Sequence, residues 1–236
     1  MTQFQDASDI APGLLVARGV EVPADAEIDP YVTIYSGVRL GRGVRIGQGA
    51  VIGRPQRIDG GSRAPRRTGR AETSIGDDCL IGSGTVIVAG ARIGARSALS
   101  DLVLVRETAL IGEDVMIGRG SAVAHTTEIE AGTRIQHEVL IAPRCHIGPD
   151  VMIAPRVVFI GDPSMGRNPP EITAPGIRVG RAARIGTAAI LCPPLEIGEE
   201  ALIGAGSFVR DDVAPRTVVV GTPARFLRTV RDDELI

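Results

Sequence analysis

The sequence predicts an all-β fold, a parallel β-helix of about ten coils. The first observation is a large apolar residue at every sixth position, without interruption, from Ile75 to Phe159. The second is a small or β-branched residue four positions later in almost every hexad, as Cys79 follows Ile75. The third is an aromatic content of 3%, with no tryptophan. A six-residue period of this kind is typical of a thin core of stacked aliphatic side chains.

Each element of that fold follows from the period. Three hexads make one triangular coil of roughly 18 residues, and successive coils stack about 4.8 Å apart. The large residue points inward near a corner, and the smaller one packs between large ones. We interpret the glycine that often follows the large residue, as in Ile81-Gly82, as easing a tight turn. The same period runs from Val16 to Ile52 and from Val179 to Val209.

The period breaks twice, and each break marks an insertion. We place the first insertion at residues 54–74 and the second at residues 160–178. Because the repeat covers nearly the whole chain, residues 1–236 are predicted to form one domain. A short lead-in, residues 1–13, precedes the coils, and residues 210–236 are predicted to form the C-terminal cap and tail.

Composition narrows the classes of function. The net charge of -2 over 236 residues argues against a general nucleic-acid binder. No apolar run reaches membrane-spanning length and no signal peptide is visible, so no membrane partner is expected. Cys79 and Cys145, two of the three cysteines, stand at inward positions and are interpreted as buried thiols. A cytoplasmic location is therefore predicted.

The first insertion is strongly basic. It carries six arginines but only two acids, Asp59 and Glu72. Since a guanidinium matches phosphate in a bidentate way, this composition favours a polyanionic ligand; a solvated loop without a partner stays open as the alternative. The second insertion is rich in turn-forming residues and is predicted to be an ordered excursion that carries function. The arginines of the first insertion are Arg54, Arg57, Arg63, Arg66, Arg67 and Arg70.

The candidate catalytic group is a histidine. His125 stands on the outer side of a predicted corner, and Glu107 lies one coil of 18 residues before it. A carboxylate about 5 Å away could orient the imidazole and raise its basicity. Two solvated surface residues remain the alternative. His146 should point to solvent, and His137 stacks on Arg119, a poor place for a metal-bound imidazole.

Three stretches, residues 123–138, 151–162 and 203–225, resemble known enzymes, and the whole repeat resembles the left-handed β-helix, hexapeptide-repeat acyltransferases. The first stretch is similar to the segment around the catalytic histidine of acyltransferases for UDP-linked sugars and of nucleotide-amino-sugar N-acetyltransferases. The second is similar to the stretch before the sugar-contacting loop of the latter enzymes. The third is similar to the terminal coil and tail that hold coenzyme A.

The chain departs from the family pattern at four places. An acid commonly follows the family histidine, but Thr126 stands here, so Glu107 is expected to take over orientation. Glu138 occupies a position where asparagine is frequent. The usual asparagine before Asp162 is missing, and Thr222 replaces an asparagine of the tail motif.

The resemblance implies direct acetyl transfer from acetyl-CoA to the amino group of a nucleotide-linked amino sugar. It implies a homotrimer with sites between subunits, no metal and no covalent nucleophile. His125 would act as general base, and a backbone N–H would stabilise the oxyanion. The implied site residues are, for catalysis, His125, Glu107 and Glu138; for coenzyme A, Ala205, Gly206, Gly221, Pro223 and Arg225; and for the acceptor, Asp162, Arg54, Arg57, His137 and Arg167.

Three other functions fit the same fold. An O-acetyltransferase acting on a sugar or antibiotic hydroxyl would use the same histidine. A γ-type carbonic anhydrase needs three histidines that converge on zinc, and the spacing of His125, His137 and His146 disfavours it. A non-catalytic β-helix scaffold would need neither His125 nor a tail for coenzyme A.

Overall fold

The structure, a computed structural model, describes residues 4–56, 72–168 and 175–236. Regular structure in that part of the chain is almost entirely β-strand, and the strands form three parallel sheets that make the sides of a β-helix of about ten coils. The predicted all-β fold is therefore confirmed. Each coil runs from sheet 1 to sheet 2, then to sheet 3, and returns to sheet 1 one level further on.

The strands have the following bounds. Sheet 1 contains Phe4–Asp6, Leu15–Ala17, Thr33–Ile34, Val51–Arg54, Val86–Val88, Leu104–Val105, Ala122–Val123, Leu140–Ile141, Val158–Phe159, Ile190–Leu191 and Phe208–Val209. Sheet 2 contains Val38–Leu40, Thr73–Ile75, Arg92–Ile93, Leu110–Ile111, Glu128–Ile129, His146–Ile147, Ile177–Val179 and Leu195–Ile197. Sheet 3 contains Glu27–Ile28, Arg45–Ile46, Leu80–Ile81, Ala98–Leu99, Met116–Ile117, Arg134–Ile135, Met152–Ile153, Arg184–Ile185, Leu202–Ile203, Thr217–Gly221 and Ala224–Thr229.

The strand register reproduces the hexad count. Val105 pairs with Val123 in sheet 1, and Ile117 pairs with Ile135 in sheet 3, so that equivalent residues lie 18 positions apart. The large hexad residues from Ile75 to Phe159 are all buried, with exposed fractions of 4% or less. Their smaller partners are buried as well, as Cys79 and Cys145 show. The core is thus the stack of aliphatic columns that the sequence predicted.

The glycines after the large residues have another role than the one predicted. Gly82 and Gly94 are not among the glycines with positive φ. A Cβ on Gly82 would lie 2.4 Å from the backbone nitrogen of Asp101, in the next coil. These glycines are needed because adjacent coils approach closely there, and the interpretation that they ease the turn is wrong. The left-handed residue comes two positions later, for example Gly84 at φ +65° and Arg96 at φ +57°.

The ends of the β-helix are built differently from its middle. Phe4–Asp6 pairs antiparallel with Leu15–Ala17, and the ring of Phe4 packs edge-on against Tyr35 at a centroid distance of 4.9 Å. At the other end, Thr217–Gly221 continues sheet 3 and Ala224–Thr229 folds back antiparallel against it. A short 3₁₀ helix, Asp232–Glu234, follows. No helix in the described ranges is long and apolar enough to span a bilayer.

Candidate functional site

The two insertions leave the β-helix at the same corner as His125. We call the turn from sheet 1 to sheet 2 the His125 corner. The first insertion begins there after Val51–Arg54, and the second begins there after Val158–Phe159. Pro143 stands in the next coil after His125, and Gly161 lies over Pro143, so the second insertion begins two coils, or roughly 10 Å, beyond the histidine. The insertions therefore flank His125 along one edge of the molecule.

His125 is buried at this corner, with 5% of its surface exposed. Its Nδ1 lies 3.2 Å from the hydroxyl oxygen of Thr126. That hydroxyl lies 3.3 Å from the hydroxyl of Thr108, its equivalent one coil earlier. The histidine backbone is held as well, since its carbonyl accepts a hydrogen bond from the N–H of Arg144. The following coil therefore holds the backbone of His125, and the hydroxyl of Thr126, in the same coil, contacts its ring.

Glu107 occupies the equivalent position one coil before His125 and is 2% exposed. Its carboxylate accepts two hydrogen bonds from Arg106, of 2.9 and 2.8 Å, and one of 2.5 Å from Gln56. Burial acts to raise the pKa of Glu107, but the hydrogen bonds from Arg106, its own backbone and Gln56 outweigh burial and hold the pKa below its usual value. Glu107 is thus a buried, ionised anchor for these two side chains, and its predicted role in orienting His125 stays a prediction.

Gln56 links the first insertion to the histidine corner. It stands at the end of the described segment before the insertion, yet its side chain reaches Glu107, 51 positions later. Arg54, which the sequence analysis counted with the insertion, lies on the last strand before it, and its Nε is buried without a hydrogen-bond partner in the part of the chain that the structure describes. Arg57, the other arginine predicted here to contact the acceptor, lies outside the described residues.

Asp162 organises the start of the second insertion. One carboxylate oxygen accepts hydrogen bonds from the backbone N–H and the hydroxyl of Ser164, at 2.8 and 2.5 Å, and the other accepts one from the N–H of Gly166 at 2.8 Å. Arg167 follows on the exposed part of the insertion. The structure thus places both residues on the His125 side of the molecule, and their predicted contact with an acceptor remains a prediction.

The residues predicted to hold coenzyme A lie at another corner. We call the turn from sheet 3 to sheet 1 the Ala205 corner. Ala205 and Gly206 are exposed there, and the N–H of Gly221 donates to the hydroxyl of Ser207 at 3.1 Å. Pro223 follows in the turn between the last two strands. The structure therefore gathers Ala205, Gly206, Gly221 and Pro223 at one end of the β-helix.

The side chain of Arg225 is exposed, although its backbone belongs to the last strand. It lies on the last strand, where it pairs with Val220, and 68% of its side chain is exposed. Its guanidinium lies 3.5 Å from the carboxylate of Asp211. An exposed ion pair of this kind contributes little stability, so the guanidinium can exchange Asp211 for another anion at small cost.

His137 and Glu138 lie in the Ala205 corner row, not beside His125. His137 accepts a backbone hydrogen bond from Arg156, in the next coil. The carboxylate of Glu138 accepts a 2.7 Å hydrogen bond from Arg156, which lowers the pKa of this exposed group. Within one chain, the width of sheet 1 separates Glu138 from His125. Any contact between them requires a second copy of the chain.

His146 lies on the outer surface of sheet 2, as predicted. Its two ring nitrogens lie 3.3 and 2.8 Å from the carboxylates of Glu128 and Glu130. His125, His137 and His146 thus occupy three different parts of the coil. Within the described ranges, no group of three or more His, Cys, Asp and Glu side chains is arranged to hold a metal ion.

Sequence reasoning missed four side chains at the His125 corner: Gln56, Arg106, Thr108 and Thr126. The sequence analysis considered Thr126 only as the residue that stands where the family commonly has an acid, and it did not predict a hydrogen bond from its hydroxyl to His125. Counting by 18 could have identified Thr108 as the residue stacked under Thr126. No local signal pointed to Gln56, because its partner Glu107 lies on the far side of the first insertion.

The predicted hexapeptide repeat is confirmed by comparison with known families. A model of bacterial transferase hexapeptide repeats matches residues 19–54. A model of the hexapeptide repeat of succinyl-transferase matches residues 72–100 and 176–210. Among curated proteins, the chain is similar to a galactoside O-acetyltransferase of Escherichia coli, with 38% identity over 56 residues, and to a chloramphenicol acetyltransferase of Agrobacterium fabrum, with 38% identity over 58 residues.

These sequence matches are short. Each covers about a quarter of this chain, 24% and 25%, and 28% of the relative. Among solved structures, a UDP-N-acetylglucosamine acyltransferase from Campylobacter jejuni superimposes with a TM-score of 0.60 at 18% identity, covering 92% of this chain and 73% of that chain. The Arabidopsis UDP-N-acetylglucosamine acyltransferase gives a TM-score of 0.51 at 18% identity, with coverage of 94% and 74%. At this identity the structural likeness establishes the fold.

Proposed function

Because this chain belongs to the hexapeptide-repeat proteins, we propose that it is an acyl-CoA-dependent acyltransferase that uses His125 as its general base. The observation that carries the proposal is the buried His125, which lies between the two insertions and is held through Nδ1. A solvated surface histidine, the alternative from the sequence, would be exposed. The names of the two curated relatives described above, a galactoside O-acetyltransferase and a chloramphenicol acetyltransferase, support acetyl-CoA as the donor.

The proposed reaction is a direct attack on the thioester. The acceptor nitrogen forms a bond to the acyl carbon, and His125 takes the proton that the nitrogen must lose. The tetrahedral intermediate collapses as the carbon–sulfur bond breaks, and the proton passes to the departing thiolate, which leaves as the free thiol of coenzyme A. A backbone N–H would stabilise the oxyanion. The step needs no covalent nucleophile.

For the acceptor, we favour the amino group of a nucleotide-linked amino sugar. The basic first insertion supports this choice, since it would place guanidinium groups near a diphosphate. An O-acetyltransferase acting on a sugar or antibiotic hydroxyl is the second candidate. It is favoured by the name of one curated relative, a galactoside O-acetyltransferase. The base chemistry of His125 is the same in both reactions.

A homotrimer is supported by the outer surface of sheet 1. The residues that point outward from this sheet are exposed or half-buried, and with one exception they are apolar. Leu140 and Ile190 are 47% and 40% exposed. An apolar surface that runs the length of the β-helix is typical of an interface. The outward residues are Leu15, Thr33, Val51, Val86, Leu104, Ala122, Leu140, Val158, Ile190 and Phe208.

Such an assembly would also complete the site. Sheet 1 lies between the His125 corner and the Ala205 corner. Three copies with sheet 1 facing a common axis would bring the His125 corner of one copy next to the Ala205 corner of its neighbour. Coenzyme A would then lie in the groove between subunits, along the row of Ala205 and close to His125. Glu138 and His137 of the neighbouring copy would face the same groove.

Binding of acetyl-CoA tests the proposal against a non-catalytic scaffold. Acetyl-CoA should raise the melting temperature of the protein in a dose-dependent way, since a ligand that binds the folded state stabilises it. The Arg225→Gln variant should need a higher concentration for the same shift, because it removes the guanidinium predicted to meet the phosphates. An unchanged melting temperature at millimolar acetyl-CoA would contradict the proposal.

The basic insertion gives a separate prediction. Replacing Arg54, Arg57, Arg66 and Arg67 with glutamine should raise the KM for one substrate, and the effect should grow at low salt because screening is weaker there. Steady-state kinetics at two ionic strengths would measure it. Arg92→Gln, at an exposed arginine on the outer surface of sheet 2 and outside the insertion, is the control. An unchanged KM for both substrates would identify the insertion as solvated surface.

A further inference from the structure

The strand that leads into the first insertion contains a β-bulge. Ile52 pairs with Ile87 in the regular register. Gly53 is then an extra residue, with φ at +73°, and Arg54 stands opposite Val88 in its place. Bulges of this kind change the direction of a side chain and are frequent beside active sites. The bulge therefore brings a guanidinium group, and not a glycine, to the end of sheet 1.

The side chain of Arg54 is half-buried and incompletely satisfied. Its Nε is buried, and it has no hydrogen-bond acceptor among the residues that the structure describes. A buried donor without an acceptor is costly in free energy. A ligand that supplies an acceptor oxygen would remove this cost.

A second arginine of the same row, Arg106, is held by one edge of its guanidinium group. Its Nε and Nη2 donate to the two carboxylate oxygens of Glu107, at 2.9 and 2.8 Å. Nη1 makes no hydrogen bond to another described residue, and 32% of the side chain is exposed. Because the guanidinium is planar, the edge formed by Nη1 and Nη2 is then presented in a fixed direction for a bidentate contact with an oxyanion.

Both arginines precede His125 along the β-helix. Arg54 pairs with Val88, which stands one coil before Arg106, and Arg106 stands one coil before Ala124, the neighbour of His125. The two arginines are therefore about 10 Å apart in one row, and the nearer one lies one coil from the candidate base. The residues predicted to hold coenzyme A lie in the other direction from the base, at the C-terminal end. An anion bound by these arginines would thus belong to the acceptor.

We infer that Arg54 and Arg106 form the site for the diphosphate of a nucleotide-linked acceptor, and that Glu107 is the positioning residue for Arg106. This inference rests on the proposed function and identifies which part of the acceptor is held, and by which side chains. The two arginines and Glu107 together carry a net charge of +1, which favours an anion. The sugar ring separates the reacting amine from the first phosphate, just as one coil, roughly 5 Å, separates His125 from Arg106. Arg54 would contact the phosphate further from the base.

Binding of a diphosphate tests the site without any activity. In calorimetry with UDP, GDP and dTDP, at least one nucleotide should bind to the wild type, and Arg54→Met and Arg106→Lys should each weaken that binding about tenfold. Arg106→Lys keeps a positive charge beside the buried Glu107, so it should fold, but it loses the planar edge. Arg92→Gln, at an exposed arginine of sheet 2, should bind like the wild type. No binding of any of the three nucleotides at millimolar concentration, or equal binding by all variants, would overturn the inference.

The stability of Arg54→Met separates a binding role from a structural one. Since the buried Nε of Arg54 has no acceptor among the described residues, its removal should leave the Tm of the ligand-free protein unchanged or higher. Only the rise in Tm that the nucleotide causes should become smaller. A lower Tm of the ligand-free variant with unchanged affinity for the nucleotide would show that Arg54 is structural.

Steady-state kinetics identify the substrate that occupies the site. Arg54→Met and Arg106→Lys should each raise the KM for the nucleotide-linked amino sugar roughly tenfold and leave the KM for acetyl-CoA within about twofold. The same amino sugar without its nucleotide should react equally slowly with the wild type and both variants, because it lacks the group that the arginines hold. A raised KM for acetyl-CoA instead would assign the site to coenzyme A and overturn the inference. Acyl transfer without nucleotide binding would refute this inference alone, whereas arginine-dependent nucleotide binding without acyl transfer would refute the proposed function alone.

Discussion

Replacing His125 with alanine is expected to lower kcat by about two orders of magnitude or more, while the protein stays folded. The expected loss is large because the acceptor amine must lose a proton on the way to an amide, and His125 is the candidate to accept it. Because the side chain stands at a corner outside the aliphatic columns, its removal leaves the core intact. Steady-state kinetics and circular dichroism of the same preparations would check both statements.

His146→Ala is the matched control for this experiment. His146 is also a histidine of the β-helix, but it lies on the outer surface of sheet 2, with Glu128 and Glu130 as partners. Its removal should leave kcat within about twofold of the wild type. Near wild-type kcat in His125→Ala would remove this residue from the mechanism.

A charge on the outer surface of sheet 1 should dissociate the trimer. Leu140 is 47% exposed and stands in the middle of the apolar row. An aspartate there would place three carboxylates near the axis of the proposed assembly, where burying an unpaired charge is costly. Leu140→Asp is therefore expected to elute as a monomer and to lose nearly all activity, since the sites between subunits would be lost. Light scattering after size exclusion would measure the mass.

The matched control is a leucine of similar exposure on another side. Leu80 is 37% exposed and points outward from sheet 3. Leu80→Asp should keep both the assembly and the activity of the wild type. A wild-type protein that is monomeric at micromolar concentration, or a fully active Leu140→Asp monomer, would refute the interface on sheet 1.

The fold was predictable because a six-residue period in the sequence gives the position of every inward residue. The inward residues from Ile75 to Phe159 are buried without exception, since a single period sets every coil. The same count of 18 residues per coil could also have shown that the two insertions leave the β-helix at the same corner as His125. Phe159, which precedes the second insertion, stands two coils of 18 residues after Val123, which precedes His125. That count places Phe159 and Val123 in the same sheet.

The contacts of the site were harder to predict. Register places Glu107 under His125, but it does not say which neighbour its carboxylate will prefer. The structure shows Arg106 and Gln56 as its partners, and Gln56 comes from a segment separated from Glu107 by the first insertion. Similarly, the sequence suggested that the glycines after the large residues ease a turn. The structure shows that glycine is needed at Gly82 because the backbone of the next coil leaves no room for a Cβ.

The central claim is that this chain transfers an acetyl group from acetyl-CoA with His125 as the base. The direct measurement is mass spectrometry of acceptors incubated with the protein and acetyl-CoA carrying a carbon-13 label in the acetyl group, together with the release of free thiol. Nucleotide-linked amino sugars and matched sugars with a hydroxyl in place of the amine form the panel. We predict labelled acetyl on an amine acceptor in equal amount to the thiol released, and neither above background with His125→Ala. The absence of labelled product from every amine and hydroxyl in the panel, or equal product from His125→Ala, would contradict the account.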